Sequence, residues 1–388
     1  MAATNMIRMR IAGEDGALEY FLEQYRVKCD QFGDDPHPLI LRRIQDAIQS
    51  GIAQLDLSLN GSSLLTDQKI SDDDVFSLSE SLATFPDAPI NSIDLSVNAI
   101  KNNGAKALGV MLKSTQTLAL LNLRSNDIED VGGLALAHAL EGQRTITQLN
   151  LNGNPIGDAG MAGLAKTLSR PSCALRDVDW GNTDMGINAL IQILRALQSN
   201  TSVEMLRIGN PRITTIDDEP SRHISTMLTL NKSLRLLDIS KHRIRDQGID
   251  WVLQGLSKNT SLTSLELRCN EIGPGGATLI AQYLGGGRCH LKELGLAGNR
   301  LTDLGGQAIA LALQSNVTLE RLDMSYTSIG ELTHLALAKI FSPPCSSTII
   351  SLKLWGTHFT PNSGTVWRNA ISCASQLEHY DFAPFIQE

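Results

Sequence analysis

Aromatic residues, paired cysteines and long apolar runs are all scarce in this chain. Aromatics make up 4% of its 388 residues, so Leu, Ile and Ala must fill the core. The sequence has no C-x-x-C pair, which argues against a disulfide framework and for reduced thiols. No run approaches the ~20 apolar residues of a membrane span, and residues 1–16 lack the apolar segment of a secretory signal. These absences predict a cytoplasmic protein. The six cysteines are Cys29, Cys173, Cys269, Cys289, Cys345 and Cys373.

Motifs for catalysis and for metal binding are also missing. There is no G-x-x-x-x-G-K-[ST] phosphate loop and no H-E-x-x-H helix. Cys289 and His290 are adjacent only in sequence, which does not make a nucleophile–base pair. The net charge of −8 argues against nucleic acid as the main ligand. We predict a protein without enzymatic activity, catalytic residues, bound metal or cofactor.

The stretch Leu118–Leu140 shows what the chain does contain. Leu121 and Leu123 alternate with polar residues, as on one side of a short strand. Gly132, Leu136 and Leu140 then follow at steps of four, as on one face of a helix. One strand and one helix cannot bury both apolar faces alone, so this unit requires copies of itself on either side.

The copies are present, because the pattern recurs eleven times, and five of the ten spacings are 28 residues. A glycine recurs in the helical half, at Gly104, Gly160, Gly276 and Gly305, where we expect close packing against the strand layer. The repeats open at Ile52, Ile90, Leu118, Ile146, Leu175, Val203, Leu234, Leu262, Leu291, Leu319 and Ile349.

Three segments are predicted: a helical cap over residues 1–51, the repeats over 52–360, and a C-terminal cap helix and tail over 361–388. The first segment has an apolar helical pattern and then a helix over Leu39–Ser50. A separate functional domain is the alternative for it. The last helix is predicted over Thr365–Leu377, and the tail closes the final layer or carries a transport signal. The first helical pattern consists of Leu18, Phe21, Leu22, Tyr25 and Val27, and the tail contains Phe382, Phe385 and Ile386.

Residues Ile52–Phe359 resemble leucine-rich repeats of the ribonuclease-inhibitor subtype. The resemblance implies an α/β solenoid (horseshoe) with parallel strands on its concave face and helices on its convex face. Similar arrays occur in ribonuclease inhibitors, NOD-like receptors, Ran GTPase-activating proteins and bacterial effectors. We expect neither a full NOD-like receptor nor a typical Ran activator, because no nucleotide-binding domain precedes the repeats and no long acidic tail follows.

The turn after each strand carries Asn in six repeats, where stacked amides can satisfy the backbone of adjacent turns. We interpret this ladder as structural. Three successive repeats carry Thr183, Pro211 and His242 instead, and an insertion within Thr214–Arg222 lies nearby, where Asp217 to Glu219 before Pro220 resemble a helix start. Drift of an old repeat or a patch shaped for a partner would each explain this irregular segment.

The alternating strand positions predict a binding surface on the concave face. The residues between the two core positions of each strand form a central row, which is acidic with interspersed basic residues. Large aromatics lie near the C-terminal end of this face. Aromatic and Arg side chains are effective anchors at protein interfaces, although the tail could instead cover Trp355. The candidate partner-binding residues are Asp179, Arg207, Asp238, Glu266, Arg268, Arg321, Asp323, Tyr326, Lys353 and Trp355.

Two functions remain open at this point. The first is a monomeric, non-enzymatic module that binds a partner protein as inhibitor, regulator or scaffold. A bacterial effector, secreted without a cleavable signal into a host cytoplasm, is one setting for it. The alternative is a GTPase-activating protein of the Ran-activator type, with Arg124, Arg207 or Arg268 offered to the GTPase. For these arginines, ion pairs with neighbouring carboxylates are the simpler explanation.

Overall fold

The computed structural model describes residues 16–62, 69–214, 218–342 and 347–383. Asp217, Cys345, Phe385 and Ile386, named above, lie outside these ranges. Residue contacts divide the chain into two compact units, residues 1–196 (unit 1) and residues 197–388 (unit 2). The two units are described separately.

Unit 1 alternates strands with helices, and each of its strands runs parallel to the next and pairs with it. The strands are β1 (Leu55–Ser58), β2 (Ile90–Asp94), β3 (Leu120–Asn122), β4 (Gln148–Asn150) and β5 (Asp177–Asp179). The helices are α1 (Ala17–Phe32), α2 (Pro38–Gln49), α3 (Asp72–Thr84), α4 (Asn102–Ser114), α5 (Asp130–Leu140), α6 (Gly157–Leu168) and α7 (Ile187–Leu197), which runs to the boundary.

Unit 2 repeats the same alternation, and its strands are also parallel and paired in chain order. The strands are β6 (Met205–Arg207), β7 (Leu236–Asp238), β8 (Ser264–Glu266), β9 (Glu293–Gly295), β10 (Arg321–Asp323), β11 (Ser351–Lys353) and β12 (His379–Tyr380). The helices are α8 (Glu219–Leu230), α9 (Asp246–Leu256), α10 (Pro274–Gly285), α11 (Thr302–Leu313), α12 (Glu331–Ile340) and α13 (Pro361–Cys373).

The core lies between the strands and the helices of each repeat, as the apolar pattern predicts. Leu121 and Leu123 are fully buried, and so is Trp180. The helical glycines also lie in tight packing, but the expected neighbour was wrong. A Cβ on Gly305 would come within 2.4 Å of the Ala277 Cβ, on the preceding helix. The glycine therefore permits close approach of successive helices rather than of helix and strand.

The asparagine ladder is structural in both units. In unit 1, the Asn154 amide donates to the Leu123 and Leu151 carbonyls at 2.8 and 2.9 Å, and its oxygen accepts the Ile128 N–H at 3.2 Å. Asn154 thus makes two hydrogen bonds to the preceding repeat and one within its own repeat. In unit 2, Asn270 and Asn299 make the same set.

The unit 2 repeat with His242 keeps part of this ladder. The imidazole is buried, and its Nε2 lies 2.9 Å from the carbonyl oxygen of Ile208 in the preceding repeat. Burial lowers the pKa of His242 to about 4, since a charged ring would lose its hydration. The neutral ring therefore donates from Nε2 where an amide would otherwise donate.

The end segments differ in detail from the predictions. Helix α1 buries most of its predicted apolar face, but Val27 is exposed. Helix α13 begins four residues before its predicted start, because Pro361 occupies its first turn and Thr360 and Ser363 form a capping box. It ends at Cys373, also four residues early. The short strand β12 was not predicted.

One carboxylate caps the backbone that follows strand β11. Asp381 accepts the Leu354 N–H at 2.7 Å and the Trp355 N–H at 3.3 Å. In the preceding repeat, the corresponding N–H of Met324 donates at 2.9 Å to a backbone carbonyl, that of Lys353. Asp381 therefore takes the place of a further repeat. Phe382 is fully buried and packs on Trp367, with the ring centroids 4.7 Å apart.

Candidate protein-binding site

The central row of unit 2 is formed by strand residues that occupy the same register position. Arg207 lies opposite Asp238, Asp238 opposite Glu266, and Glu266 opposite Gly295. The row continues from Gly295 to Asp323 and Lys353. Adjacent strands are about 4.8 Å apart, so the structure brings five of the predicted site residues together along one row.

The acidic members of this row also hold the turn that follows their strand. Asp238 accepts the backbone N–H of Ser240 at 2.8 Å, and Asp323 accepts that of Ser325 at 2.9 Å. In unit 1, the amides of Asn122 and Asn150 accept the equivalent N–H groups. The turn bond at this position needs an acceptor but not a negative charge, and the repeats with Arg207, Gly295 and Lys353 have no carboxylate or amide side chain there.

Glu266 reaches across the neighbouring strand, because its neighbour in the row is a glycine. A Cβ added to Gly295 would lie 2.2 Å from both carboxylate oxygens of Glu266, so the carboxylate occupies the place of a side chain on β9. Burial raises the pKa of Glu266, and the nearby charges of Asp238 and Asp323 raise it further, whereas the Arg268 N–H and guanidinium oppose this shift. The row therefore concentrates negative charge above Gly295.

Compensation of these charges is uneven across the strand face. Two residues before the central row on each strand, Arg321 pairs with Glu293 at 2.9 Å, and the Ser264 hydroxyl donates to the same carboxylate at 3.0 Å. Asp323 of the central row is approached by Arg268 at 3.4 Å. The exposed Lys353 makes no ion pair with any residue in the described parts of the chain.

A cavity of about 180 Å³ opens on this face over strands β8–β11. Its floor is the strand backbone at Leu265, Leu294 and Leu322, whose side chains are buried in the core, and the side chains around it are polar or charged. The polar side chains are Ser264, Glu266, Glu293, Arg321, Ser351, Asp323 and Lys353. The carboxylates of Glu266 and Asp323 make the cavity suitable for a cationic side chain. Within the described ranges, no group of three His, Cys, Asp or Glu residues could hold a metal ion.

Two aromatic side chains lie beyond the ends of strands β10 and β11. Tyr326 is 61% exposed and Trp355 is 44% exposed. The Tyr326 backbone is left-handed (φ 55°), and its N–H donates to the Trp355 carbonyl at 2.9 Å. Its ring lies where a side chain on Gly356 would be, since a Cβ there would be 2.3 Å from the ring. Phe382, in the described part of the tail, packs into the core, and Phe385 lies outside the described residues.

Two further predicted site residues complete the set. Asp179 belongs to unit 1, where it accepts the Gly181 N–H at 3.2 Å and the Asn152 side-chain amide at 2.9 Å. Arg207 is half-buried and begins the central row of unit 2.

Sequence reasoning missed Gly295 and Glu293 as members of the site. A signal for Gly295 was present, since glycine within a strand often marks the close approach of another group. Nothing in the sequence separated Glu293 from other exposed carboxylates, because its partner Arg321 comes from the next repeat.

Comparison with known proteins identifies the repeats. A family model described as Leucine Rich repeat matches residues 116–137, 142–165, 258–281 and 288–310. The ribonuclease inhibitor of Mus musculus is 26% identical over 191 residues, which cover 49% of this chain and 41% of that protein. NACHT, LRR and PYD domains-containing protein 5 of Mus musculus is 26% identical over 211 residues, 54% of this chain and 18% of that protein. The chain thus spans less than half the length of either relative.

Similarity among solved structures supports the same fold. A chain in the crystal structure of the yeast Rad7 and Elc1 complex matches with a TM-score of 0.50 and 14% identity, over 95% of this chain and 88% of that one. None of the helices in the described ranges combines the length and the apolar character needed to cross a bilayer.

Proposed function

We propose that this chain, a leucine-rich-repeat protein of the ribonuclease-inhibitor type, binds a partner protein through the exposed strand face of unit 2. One observation carries the proposal: the carboxylates of Asp238, Glu266 and Asp323 share one row, and the turn bonds that they accept do not require their charge. Asparagine makes the same turn bond in unit 1. Collecting like charges costs stability, so a function outside the fold is the simplest reason for it.

The chemistry of the face specifies the partner's contribution. A Lys or Arg side chain could enter the cavity and present its cation to Glu266 and Asp323. Charge-assisted hydrogen bonds of this kind are about twice as strong as neutral ones. Tyr326 and Trp355 would anchor neighbouring apolar groups of the same partner. The partner is therefore a protein with a basic side chain flanked by apolar residues.

The test uses affinity capture from cell extract with quantitative mass spectrometry. Wild type is compared with Glu266→Gln/Asp323→Asn, which keeps side-chain size and the turn acceptor but removes two charges. The control Asp94→Asn makes the same change in unit 1, where Asp94 accepts the Ser96 N–H at 2.9 Å. We expect a set of proteins retained by wild type and by the control but lost by the double variant. Equal capture by all three would contradict the strand-face assignment.

A second variant leaves every charge in place. In Gly295→Ala, the new methyl group occupies the position of the Glu266 carboxylate, which has to rotate away. Because the group displaced is the end of a flexible side chain, the fold should tolerate the change. We expect the captured partner to bind about tenfold more weakly, which corresponds to ~1.4 kcal/mol. Unchanged affinity would mean that the position of Glu266 is not recognised.

The finer functional roles stay predictions. Inhibition, scaffolding and delivery as an effector would all use the same face. The Ran-activator alternative has weaker support, because Arg268, one of its candidate arginines, contacts Asp323. Single-turnover GTP hydrolysis by small GTPases, measured with and without this protein, tests that alternative. A faster rate of hydrolysis in its presence would support the alternative.

A further inference from the structure

A second charged surface of unit 2 lies at the edge where strands pass into helices. Lys241, Arg243 and Arg245 follow strand β7, and Arg300 follows β9; all four side chains are exposed. The intervening loop joins them, since the Glu271 N–H donates to the Ile244 carbonyl at 2.8 Å and the Arg300 N–H to the Ile272 carbonyl at 2.9 Å. These four basic residues are called the basic edge.

The basic edge is a local departure from the repeat. Three loop positions can be compared in every repeat, counted from the residue at the turn after the strand. They are the residue directly before it, the residue directly after it and the third residue after it. In unit 1 these positions carry one lysine against three carboxylates, namely Lys101, Asp127, Glu129 and Asp184. In unit 2 they carry five basic residues against one carboxylate, namely Arg212, Lys241, Arg243, Arg245, Arg300 and Glu271. The chain is acidic as a whole, with a net charge of −8, so this reversal of sign is confined to a few loops.

Internal carboxylates do not neutralise the basic edge. Glu271 is shared by two arginines, with the Nε atoms of Arg243 and Arg245 at 3.1 and 2.9 Å from its two oxygens. Hydrogen bonds from Arg245 and Arg243 lower the pKa of Glu271, so it is ionised and still leaves one positive charge in excess. Lys241 and Arg300 make no ion pair with any residue that the structure describes.

The basic edge also borders a cleft. A depression of about 720 Å³ lies between Arg245 and Arg300, and its lining includes Gln247, Asn270 and Gly273. Its lining also includes the carboxylates of Asp246, which accepts the Gly273 N–H at 2.7 Å, and of Glu271, which pairs with Arg245. Within the cleft these two carboxylates offset the two arginines. The positive charge in excess comes from Lys241 and Arg243 on the adjoining loop, so the edge still carries four cations against two carboxylates.

We infer that the basic edge binds an acidic segment of a partner protein, in an extended form that passes along Lys241, Arg243, Arg245 and Arg300. Guanidinium groups pair with carboxylates in two-pronged geometry, and the spread of these cations over the loops after β7 and β9 suits a chain rather than a single ion. Single-stranded nucleic acid is less well matched, because bases require aromatic platforms and the cleft lining contains no aromatic residue. This surface is separate from the acidic strand face, and its test does not depend on that proposal.

The experiment measures the binding of a fluorescein-labelled Glu-Gly-Ser repeat peptide by fluorescence anisotropy. A Gln-Gly-Ser peptide is the uncharged reference, and an oligonucleotide of equal charge is the competing probe. We expect the Glu peptide alone to bind, with an affinity that falls as salt is added. In Arg245→Glu/Arg300→Glu, binding should weaken at least about tenfold. In Arg245→Lys/Arg300→Lys, which keeps the charge, most of the binding should remain.

The matched control is Arg235→Glu, which reverses another exposed charge at the opposite end of β7. It should bind the Glu peptide like wild type, and circular dichroism confirms that each variant is folded. No binding of the Glu peptide to wild type would overturn the inference. Equal loss in Arg235→Glu would do so as well, since the attraction would then not belong to the basic edge. Tighter binding of the oligonucleotide would also overturn it by assigning the edge to phosphates.

Discussion

Three successive repeats of unit 1 have the same residue at the turn after the strand, whereas the repeats of unit 2 vary there. Asn98, Asn126 and Asn154 each make two hydrogen bonds to the preceding repeat, in addition to the bond to the carbonyl three residues earlier in their own repeat. In unit 2, Thr327 donates only to the Met324 carbonyl of its own repeat, and His242 reaches the preceding repeat through one nitrogen. The repeat tolerates a weaker turn wherever the apolar core is kept.

The two units also differ in how they use charge. The central-row position carries three carboxylates in each unit, beside Asn122 and Asn150 in unit 1 and beside Arg207, Gly295 and Lys353 in unit 2. At the loop edge the two units have opposite signs, since unit 1 is acidic and unit 2 basic. The turn bond requires an acceptor, but not a charge on it. Charges that the fold does not require are the ones available for recognition, and unit 2 carries them in two segregated surfaces.

The largest expected effect comes from the ladder. Asn126→Ala should reduce the free energy of unfolding by about 4 kcal/mol, because it removes three buried hydrogen bonds and leaves the Ile100 N–H without its partner. The Leu95 and Leu123 carbonyls still accept from the amides of Asn98 and Asn154. Thr327→Ala removes one bond and should cost about 1 kcal/mol. Urea denaturation of both variants measures the difference. Equal costs would show that the units use the turn position alike.

The next effect is a loss of stability in acid. His242 has a pKa of about 4 in the folded chain and 6.5 ordinarily, so its contribution is complete above pH 6.5 and is lost as the pH falls to 4. The loss amounts to about 3 kcal/mol. His242→Asn should remove it, and urea midpoints at pH 7 and pH 4.5 test this.

A control for this prediction is His138→Asn, since the His138 side chain is exposed. His334 is buried with a pKa of about 4 as well, so His242→Asn should retain a part of the acid sensitivity. A variant with the same difference between pH 7 and pH 4.5 as wild type would contradict the assignment to His242.

The smallest effect concerns Glu266. Its pKa is raised above 4.5 in the folded chain, so the ionised group costs stability above that raised value, and the cost is removed as the pH falls toward 4.5. Glu266→Gln should therefore raise the thermal midpoint slightly at pH 7 and reduce this part of the pH dependence. Asp94→Asn serves as the control, with no comparable gain. A lower midpoint in Glu266→Gln would mean that the carboxylate stabilises the strand face.

Much of this architecture could be predicted from residue spacing. Leu121, Leu123 and their counterparts fixed the strand positions, and the recurring Asn fixed the turns. The ends of the chain were less accurate, because the Thr360–Ser363 capping box and the Asp381 carboxylate act through single local contacts outside the repeat. A periodic signal cannot reveal a contact that occurs once.

The candidate site was predicted only in part for a similar reason. The row of Asp238, Glu266 and Asp323 followed from strand alternation. Other features of the site depend on side-chain rotamers. The Glu266 carboxylate lies over Gly295. Arg321 pairs with Glu293, whereas Lys353 makes no ion pair with a described residue. Rotamers are chosen by neighbours about thirty residues away in sequence, which the spacing of one repeat does not encode.

The sequence by itself determined the repeat, its strand and helix, and the kinds of residue on each face, because side-chain direction alternates along a strand whatever lies beside it. The tertiary structure decided which charges are compensated. In the folded chain, Glu271 forms ion pairs with two arginines, and the Glu266 carboxylate lies above Gly295. Arg245 and Arg300 line the same cleft. The physical reason is that electrostatic interactions between side chains depend on distance and burial, which arise only when successive repeats are stacked.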